Sequence, residues 1–227
     1  VPGAEFMPSV RNKIWDGKVR LLNAMTGRIY RGLVPYILKF CNSREYEVTV
    51  DEGIIPNNQV QDTAGFDLAK EFETAFVPRE YQNDAVVHAL KHERALLLSP
   101  TASGKSFIIY LLTRFYIETL ELKVLIVVPT TSLVEQMASD FIEYNGGQEL
   151  DIHKIRGGID KNIEADITIS TWQSIYKLRK DWFAKFGVVI GDEAHLFKAK
   201  SVSSVLEKMP ECQYRYGFTG TLDGTQT

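Results

Sequence analysis

Cysteine is scarce in this sequence of 227 residues, which contains two. Cys41 and Cys212 lie far apart, and neither belongs to a Cys-x-x-Cys or Cys/His pattern. They therefore indicate neither a disulfide framework nor a zinc site, and a reducing cytoplasm is the simplest setting for the chain.

Long hydrophobic runs are also missing. The longest, around residues 107–112, is far shorter than the roughly 20 residues that cross a bilayer, and no signal-peptide pattern opens the chain. The sequence has no internal repeat and no low-complexity tract. We therefore expect a globular protein without a membrane partner, and its 44% of hydrophobic residues can form a real core.

Neither sign of charge dominates the chain, whose formal net charge is -3, but the charges are unevenly distributed. Residues 1–44 carry eight basic and two acidic side chains, whereas residues 45–84 carry ten acidic and two basic ones. An overall acidic chain can therefore still offer a local basic surface to phosphate groups.

The first third of the sequence has the pattern of a small α+β domain. Strand-like runs at 18–22 and 28–33 flank Met25-Thr26-Gly27, which is typical of a hairpin turn. A helix-like stretch at 34–42 and a strand-like run at 46–50 follow. From 51 to 73, Gly, Pro and Asn interrupt any period, which favours a linker and a domain boundary near residue 74.

Beyond Pro78, apolar strand-like runs alternate with longer amphipathic segments. The runs lie at 95–98, 124–128, 152–155, 167–170, 188–191 and 214–219, and the helix candidates at 80–92, 105–119, 132–144, 172–179 and 202–209. This alternation predicts an α/β domain over residues 74–227, with a mainly parallel sheet flanked by helices. Ligands of such sheets bind at the carboxyl ends of the strands.

Residues 99–106, with the sequence SPTASGKS, follow an apolar strand and open a helix, as a phosphate-binding loop does. The loop backbone would hold the phosphates of ATP through Thr101, Ala102, Ser103 and Gly104. Lys105 would reach the β- and γ-phosphates, and Ser106 would bind magnesium. Ser99 replaces the usual first glycine, and the alternative is a Ser/Gly turn before a helix.

Two adjacent carboxylates, Asp192 and Glu193, follow a later apolar strand. Hydrolysis of ATP needs a metal held across the phosphates and a group that positions and deprotonates the attacking water. Asp192 at the strand end suits the first role, and Glu193 suits the second, that of a general base. Alone, such a pair is equally typical of the acidic start of a helix, but its place after the phosphate loop favours catalysis.

Asp-Glu-Ala-His at 192–195, after the loop at 99–106, resembles the motor core of superfamily 2 helicases. The resemblance implies a RecA-like fold, ATP and Mg²⁺ as cofactors, and a catalytic role for His195. It also identifies Pro-Arg-Glu-Tyr-Gln at 78–82 as the adenine-reading element. There, Arg79 would pack on the base and Gln82 would hydrogen-bond its edge.

Two segments resemble the motifs Ia and Ic of this family, at 127–136 and 169–174. The resemblance implies contacts of Thr130, Thr171 and Gln173 with a nucleic-acid backbone, without reading of bases. The alternative for each segment is a helix N-cap, which we favour for Ser132.

Gly-Phe-Thr-Gly-Thr at 217–221 resembles motif III, which links the nucleotide site to the nucleic-acid groove in this family. Thr219 and Thr221 would therefore couple the two sites. Gly220 stands where the family usually has alanine.

Residues 15–33 resemble the accessory domain of the UvsW-like phage recombination helicases. In this interpretation Lys18, Arg20 and Arg28 track a phosphate backbone, while Trp15 and Tyr30 stack on bases. The competing interpretation is a solvated basic face with both aromatic side chains in a small core.

Together these segments imply the ATP-binding half of an ATP-dependent DNA helicase or translocase that acts on branched DNA, or on RNA–DNA hybrids, in recombination or repair. The chain ends six residues after Thr221, so the family's second RecA-like domain is expected to lie outside it. The rivals are a restriction-enzyme translocase subunit, an ATP-binding clamp without turnover, and a small phosphotransferase. The expected location is the cytoplasm, that of a bacterial host if the protein is phage-encoded.

Overall fold

The computed structural model describes residues 3–18, 20–51, 59–100, 102–157, 164–194 and 200–220. The chain divides into two compact units, Val1–Ile55 and Pro56–Thr227. Of the predicted site residues, Thr101, His195 and Thr221 lie outside the described residues.

The first unit consists of short helices joined by turns. A 3₁₀ turn at Ala4–Phe6 precedes α1 (Pro8–Arg11), and another at Arg31–Leu33 precedes α2 (Val34–Asn42). Between them, Leu22 and Ile29 form an isolated antiparallel bridge.

The strand predictions for this unit are wrong beyond that bridge. The Asn23 side chain accepts the N–H groups of Met25 and Thr26, and these local bonds close the predicted turn. The chain enters a 3₁₀ turn two residues after Ile29, and residues 46–50 are irregular. A lone pair of short strands gains too little from pairing to extend further.

The second unit is built on a parallel sheet. Its strands are β1 (Arg94–Leu98), β2 (Lys123–Val128), β3 (Ile152–Ile155), β4 (Ile167–Thr171), β5 (Phe186–Gly191) and β6 (Tyr214–Thr219). They lie in the order β1-β6-β5-β2-β4-β3, and each pairing is parallel. The predicted class and the six predicted strands are confirmed.

Helices cover both faces of the sheet. They are α3 (Ala64–Glu71), α4 (Glu80–His92), α5 (Lys105–Leu120), α6 (Thr131–Tyr144), α7 (Trp172–Ile175), α8 (Lys180–Phe183) and α9 (Lys200–Glu207). Alternate residues of β2 serve two cores, because Val124 and Ile126 pack with α4 to α6, whereas Leu125 and Val127 pack with α7 to α9. Among the described helices, none is long and apolar enough to span a membrane.

Helix α3 lies within the segment that the sequence predicted as a linker. Its Gly65 approaches α4 so closely that a Cβ atom there would come within 2.9 Å of the Asn83 backbone. The Asn83 side-chain oxygen accepts the N–H groups of Gly65 and Phe66, at 2.9 and 3.3 Å. A side chain of α4 thereby satisfies the N-terminus of α3 and attaches it to the second unit.

Candidate nucleotide and nucleic-acid sites

The segment at 99–106 leaves the carboxyl end of β1 and enters α5 at Lys105. Ala102 and Gly104 adopt positive φ values of 63° and 74°, so the chain turns tightly before the helix. Ser99 is buried, its hydroxyl group hydrogen-bonds that of Ser103, and the Ser103 hydroxyl donates to the Pro100 carbonyl at 2.6 Å. The serine that replaces the usual glycine therefore helps to close the loop.

Lys105 and Glu193 meet across the ends of β1 and β5. The Lys105 Nζ atom lies 3.2 Å from Glu193 Oε1 and 3.5 Å from the Ser99 carbonyl oxygen. The two side chains are 12% and 26% exposed, so water screens this ion pair less than a pair on the open surface. The loop lysine and the predicted general base are thus brought into direct contact.

Asp192 is buried directly after β5. Its backbone N–H donates to the Val127 carbonyl of β2 at 2.9 Å, and its Oδ1 atom accepts the N–H of Glu193 at 2.9 Å. Glu193 has a φ of 50°, in the left-handed region that costs a non-glycine residue about 1 kcal/mol. The strand end and this turn fix both carboxylates toward the phosphate loop.

A cavity of about 330 Å³ lies between the loop, α6 and the end of β5. Lys105, Ser106, Asp140 and Asp192 contribute its charged and hydroxyl groups. Hydroxyl and carboxylate oxygens are the ligands that magnesium prefers, and the lysine is suited to phosphate, so these residues fit a magnesium–nucleotide complex.

Asp140 is a cavity residue that the sequence analysis missed. Burial raises the pKa of its carboxyl group, and a hydrogen bond from Ser106 partly opposes that shift. The Ser106 hydroxyl also lies 2.7 Å from the Tyr144 hydroxyl, at the end of α6. Asp140 belongs to the amphipathic pattern of α6, and no motif in the sequence marks it.

The predicted adenine-reading element is joined to the loop. Gln82 is buried at the start of α4, where its Oε1 atom accepts the Arg79 N–H at 2.8 Å and its Nε2 atom donates to the Ser103 carbonyl at 3.0 Å. The Tyr81 hydroxyl donates to the same carbonyl at 2.9 Å. Arg79 is exposed beside them, and a Cβ atom on Gly104 would lie 2.5 Å from Gln82 Nε2.

Thr219 ends β6, the strand between β1 and β5. The residue is buried, and its carbonyl accepts the Ser99 N–H at 2.9 Å. The motif III segment is therefore bonded to the first residue of the phosphate loop.

A second cavity, of about 600 Å³, opens at the carboxyl ends of β2, β4 and β3. We call it the polar groove, and it is lined by Pro129, Thr130, Thr131, Arg156, Gly157, Thr171, Gln173 and Ser174. The three residues predicted to contact a nucleic-acid backbone are thus brought together. Arg156 was not predicted.

The helix cap expected at Ser132 is wrong. Thr130 is the last extended residue before α6, with φ −133° and ψ 157°, and its hydroxyl accepts the Leu133 N–H at 3.4 Å. The Ser132 hydroxyl lies 2.9 Å from that of Thr130. The helix begins at Thr131, so the cap lies at Thr130, two residues before Ser132.

Two basic residues of the first unit, Arg20 and Arg28, flank its central turn. Arg20, Arg28 and Tyr30 line a shallow cavity of about 590 Å³, and Arg20 forms an ion pair with Asp16 at 2.5 Å. Tyr30 is 72% exposed, so the interpretation that buries it in a small core is wrong. Trp15 is half-buried, and its indole N–H donates to the Lys18 carbonyl at 3.0 Å.

Comparison with known protein families matches both parts of the chain. Residues 75–224 match the family described as type III restriction enzyme, res subunit. Residues 1–51 match the N-terminal domain of the DNA helicase UvsW.

Two curated proteins match nearly the whole chain. The ATP-dependent DNA helicase uvsW of Enterobacteria phage T4 is 37% identical, over 97% of this chain and 45% of its own length. The DNA 3'-5' translocase XPB2 of Sulfurisphaera tokodaii is 28% identical, over 91% of this chain and 41% of its own length. The chain therefore spans about half the length of the curated relatives it matches.

Solved structures match as well. A crystal structure of the UvsW helicase from bacteriophage T4 has a TM-score of 0.83 and 36% identity, covering 100% of this chain and 83% of that chain. The Sulfolobus solfataricus SWI2/SNF2 ATPase core in complex with dsDNA has a TM-score of 0.54 and 15% identity, covering 67% and 34%, and shares the fold alone.

Proposed function

The chain belongs to the UvsW family of superfamily 2 DNA helicases, and we propose that it is the ATP-binding half of an ATP-dependent DNA motor. One observation carries this proposal: Lys105, Ser106 and Asp192 line a single cavity at the strand ends, and Glu193 forms an ion pair with Lys105. These are the side chains that ATP hydrolysis requires, and they come from two separate parts of the sequence.

In the proposed mechanism, Lys105 leaves Glu193 and binds the β- and γ-phosphates, because a phosphate carries more negative charge than one carboxylate. Ser106 and Asp192 hold magnesium, which when bound neutralises charge on the phosphates. Glu193, released from Lys105, is then able to accept the proton of the attacking water. His195 takes the catalytic role that the family resemblance implies.

The base and the loop backbone complete the proposed nucleotide site. Arg79 packs on the adenine and Gln82 recognises its edge. The phosphates lie against the N-terminus of α5, where the helix dipole and the loop N–H groups favour an anion. The bond between Thr219 and Ser99 supports the role of Thr219, with Thr221, in coupling this site to DNA.

DNA is the proposed partner of the polar groove. Its hydroxyl and amide groups, from Thr130, Thr171 and Gln173, suit contacts with a phosphodiester backbone irrespective of base sequence. Lys18, Arg20 and Arg28 of the first unit are proposed as an accessory contact. The family resemblance is the basis for proposing action on branched DNA. The proposal includes RNA–DNA hybrids as a further substrate.

The rival functions fit less well. A restriction-enzyme translocase shares the match of residues 75–224, but the match of residues 1–51 and the 36% identity with the UvsW structure favour a helicase. A clamp without turnover has no need of a general base, and Glu193 stands beside Lys105 in this chain.

Binding of ATP with magnesium tests the nucleotide site. We expect Lys105→Ala to abolish binding in equilibrium dialysis, since the cation that faces the phosphates is removed. Glu193→Gln keeps the side-chain shape, so ATP should still bind while hydrolysis fails. The control is Lys91→Ala, which removes a lysine paired with Asp62 outside the cavity and should bind as the wild type does. Normal binding by Lys105→Ala, or no binding by folded Glu193→Gln, would contradict these roles.

A further inference from the structure

We propose that Asp140 of α6 is a positioning residue for magnesium, which holds the Ser106 hydroxyl in place and adds negative charge beside the ion. The inference rests on the proposed nucleotide site and adds a residue that lies outside the motifs at 99–106, 127–136 and 192–195. Two observations support it, namely the face that α6 turns to the nucleotide cavity and the hydrogen bonds of Ser106.

One face of α6 lines the cavity beside the phosphate loop. Its four cavity residues are Leu133, Gln136, Met137 and Asp140. They are three or four residues apart, the spacing that repeats along one side of a helix. Tyr144 lies one turn beyond Asp140 and reaches Ser106 from the same face. The helix thereby adds one carboxylate to the cavity that Asp192 lines from the end of β5.

The Ser106 hydroxyl group has two hydrogen-bond partners on α6. A hydroxyl group has one proton and two lone pairs, whereas a carboxylate only accepts. Ser106 therefore donates its proton to Asp140, and the Tyr144 hydroxyl, 2.7 Å away, donates to the Ser106 oxygen. The second lone pair of that oxygen is left for a cation, so the bond to Asp140 orients Ser106 as a metal ligand.

The charge of the Asp140 carboxylate has no basic partner among the described residues. The side chain is half-buried and partly desolvated, and no described lysine or arginine forms an ion pair with it. Lys105, which lines the same cavity, is paired with Glu193 instead. A desolvated anion is stabilised by a cation, and one or two carboxylates with phosphate oxygens and water are the usual ligands of magnesium. Asp140 and Asp192 together fit that number.

Nucleotide binding with and without magnesium tests the inference. The dissociation constant of a fluorescent, non-hydrolysable ATP analogue is measured for this chain in EDTA and in excess magnesium. In EDTA, Asp140→Asn should bind the analogue at least as tightly as the wild type, because a negative charge near the phosphates is removed. In magnesium it should bind about tenfold more weakly, since a charge-assisted hydrogen bond to the metal ligand is lost. Asp140→Glu keeps the charge and should recover part of the magnesium effect.

Glu143→Gln is the matched control. It makes the same change of charge at an exposed position of α6 outside the cavity lining, so both affinities should equal those of the wild type. An equal loss of the magnesium effect in this control would overturn the inference, because the general charge of the helix would explain it.

A purely structural role of Asp140 has a different signature. If the side chain only joined α6 to α5, Asp140→Asn would lower thermal stability and change the affinities in EDTA and in magnesium in the same direction, which would also overturn the inference. Asp140→Ala removes the same charge and gives the same comparison if Asp140→Asn does not fold. A wild-type chain that binds the analogue no better in magnesium than in EDTA would instead contradict the proposed magnesium site itself, and the inference with it.

Discussion

At the scale of single residues, the predicted adenine-reading element depends on one carbonyl group. Gln82 and Tyr81 both donate to the Ser103 carbonyl, but Gln82 is buried and also accepts the Arg79 N–H, whereas Tyr81 is 44% exposed. The Gln82 amide therefore ties the start of α4 to the phosphate loop. The elements proposed to recognise the base and to bind the phosphates therefore share one hydrogen-bonded unit.

The preference for ATP over GTP distinguishes the role of Gln82 from that of Tyr81. We expect Gln82→Ala to weaken ATP binding about tenfold, since each hydrogen bond that is removed contributes about 1 kcal/mol, and to reduce the preference for ATP over GTP. Tyr81→Phe is the control, because it removes a bond to the same carbonyl but leaves the proposed base contact intact, so the preference should stay. Competition of ATP and GTP against a labelled nucleotide measures both effects. A Gln82→Ala variant with wild-type preference would argue against base recognition by this side chain.

At the scale of elements, the carboxyl edge of the sheet divides between two sites. The loop after β1 and the end of β5 line the proposed nucleotide cavity, while β2, β4 and β3 end at the polar groove. Helix α6 touches both, because its cap Thr130 lines the groove and its last residue, Tyr144, hydrogen-bonds Ser106. A rigid helix thus connects the proposed DNA contacts to the proposed magnesium ligand.

The sheet could be predicted closely because parallel strands buried on both faces appear as continuous apolar runs, and each predicted strand lies within two residues of its observed bounds. Helix α3 could not be predicted, because a glycine such as Gly65 is typical of an interrupted helix. In the structure, the absence of a side chain on Gly65 allows α3 to pack closely against Asn83 of α4. The prediction of a hairpin in the first unit is wrong beyond the Leu22–Ile29 bridge, because hydrogen bonds within the turn form in place of a ladder between strands.

Some residues of the candidate sites could likewise be predicted from the sequence, and others could not. Lys105, Ser106, Asp192 and Glu193 could be found from motif order alone, although their roles stay predictions. Arg156 could not be found, because its signal is the register of β3 beside β4.

The basic residues of the first unit lead to a prediction about DNA binding. Replacing Lys18, Arg20 and Arg28 with alanine should weaken DNA binding for any sequence and lower the salt slope by about 0.9 for each phosphate that is no longer neutralised. Arg20→Ala alone should have the smallest effect, because its guanidinium is held by Asp16. Arg44→Ala is the control, a cation of the same unit that packs on the Phe40 ring. An unchanged slope for the triple variant would favour the solvated basic face.

At the scale of the whole molecule, the chain covers 45% of the T4 helicase that it resembles. Motors of this family are expected to use two RecA-like domains that close on ATP and open after hydrolysis, and one domain cannot perform that cycle. The second domain is also expected to supply an arginine to the γ-phosphate, a contribution worth about a thousandfold or more in phosphoryl transfer. We therefore propose that this chain binds ATP by itself but needs the remaining half of the motor for turnover.

DNA-stimulated ATP turnover tests this account most directly. The rate of phosphate release is measured with and without DNA for this chain alone, for a protein in which a second RecA-like domain follows it, and for that longer protein with Glu193→Gln. We expect the longer protein to exceed the chain alone by about a thousandfold in the presence of DNA, and Glu193→Gln to abolish the gain. Equal turnover by the chain alone, whether or not DNA is present, would contradict the account and favour a self-sufficient phosphotransferase.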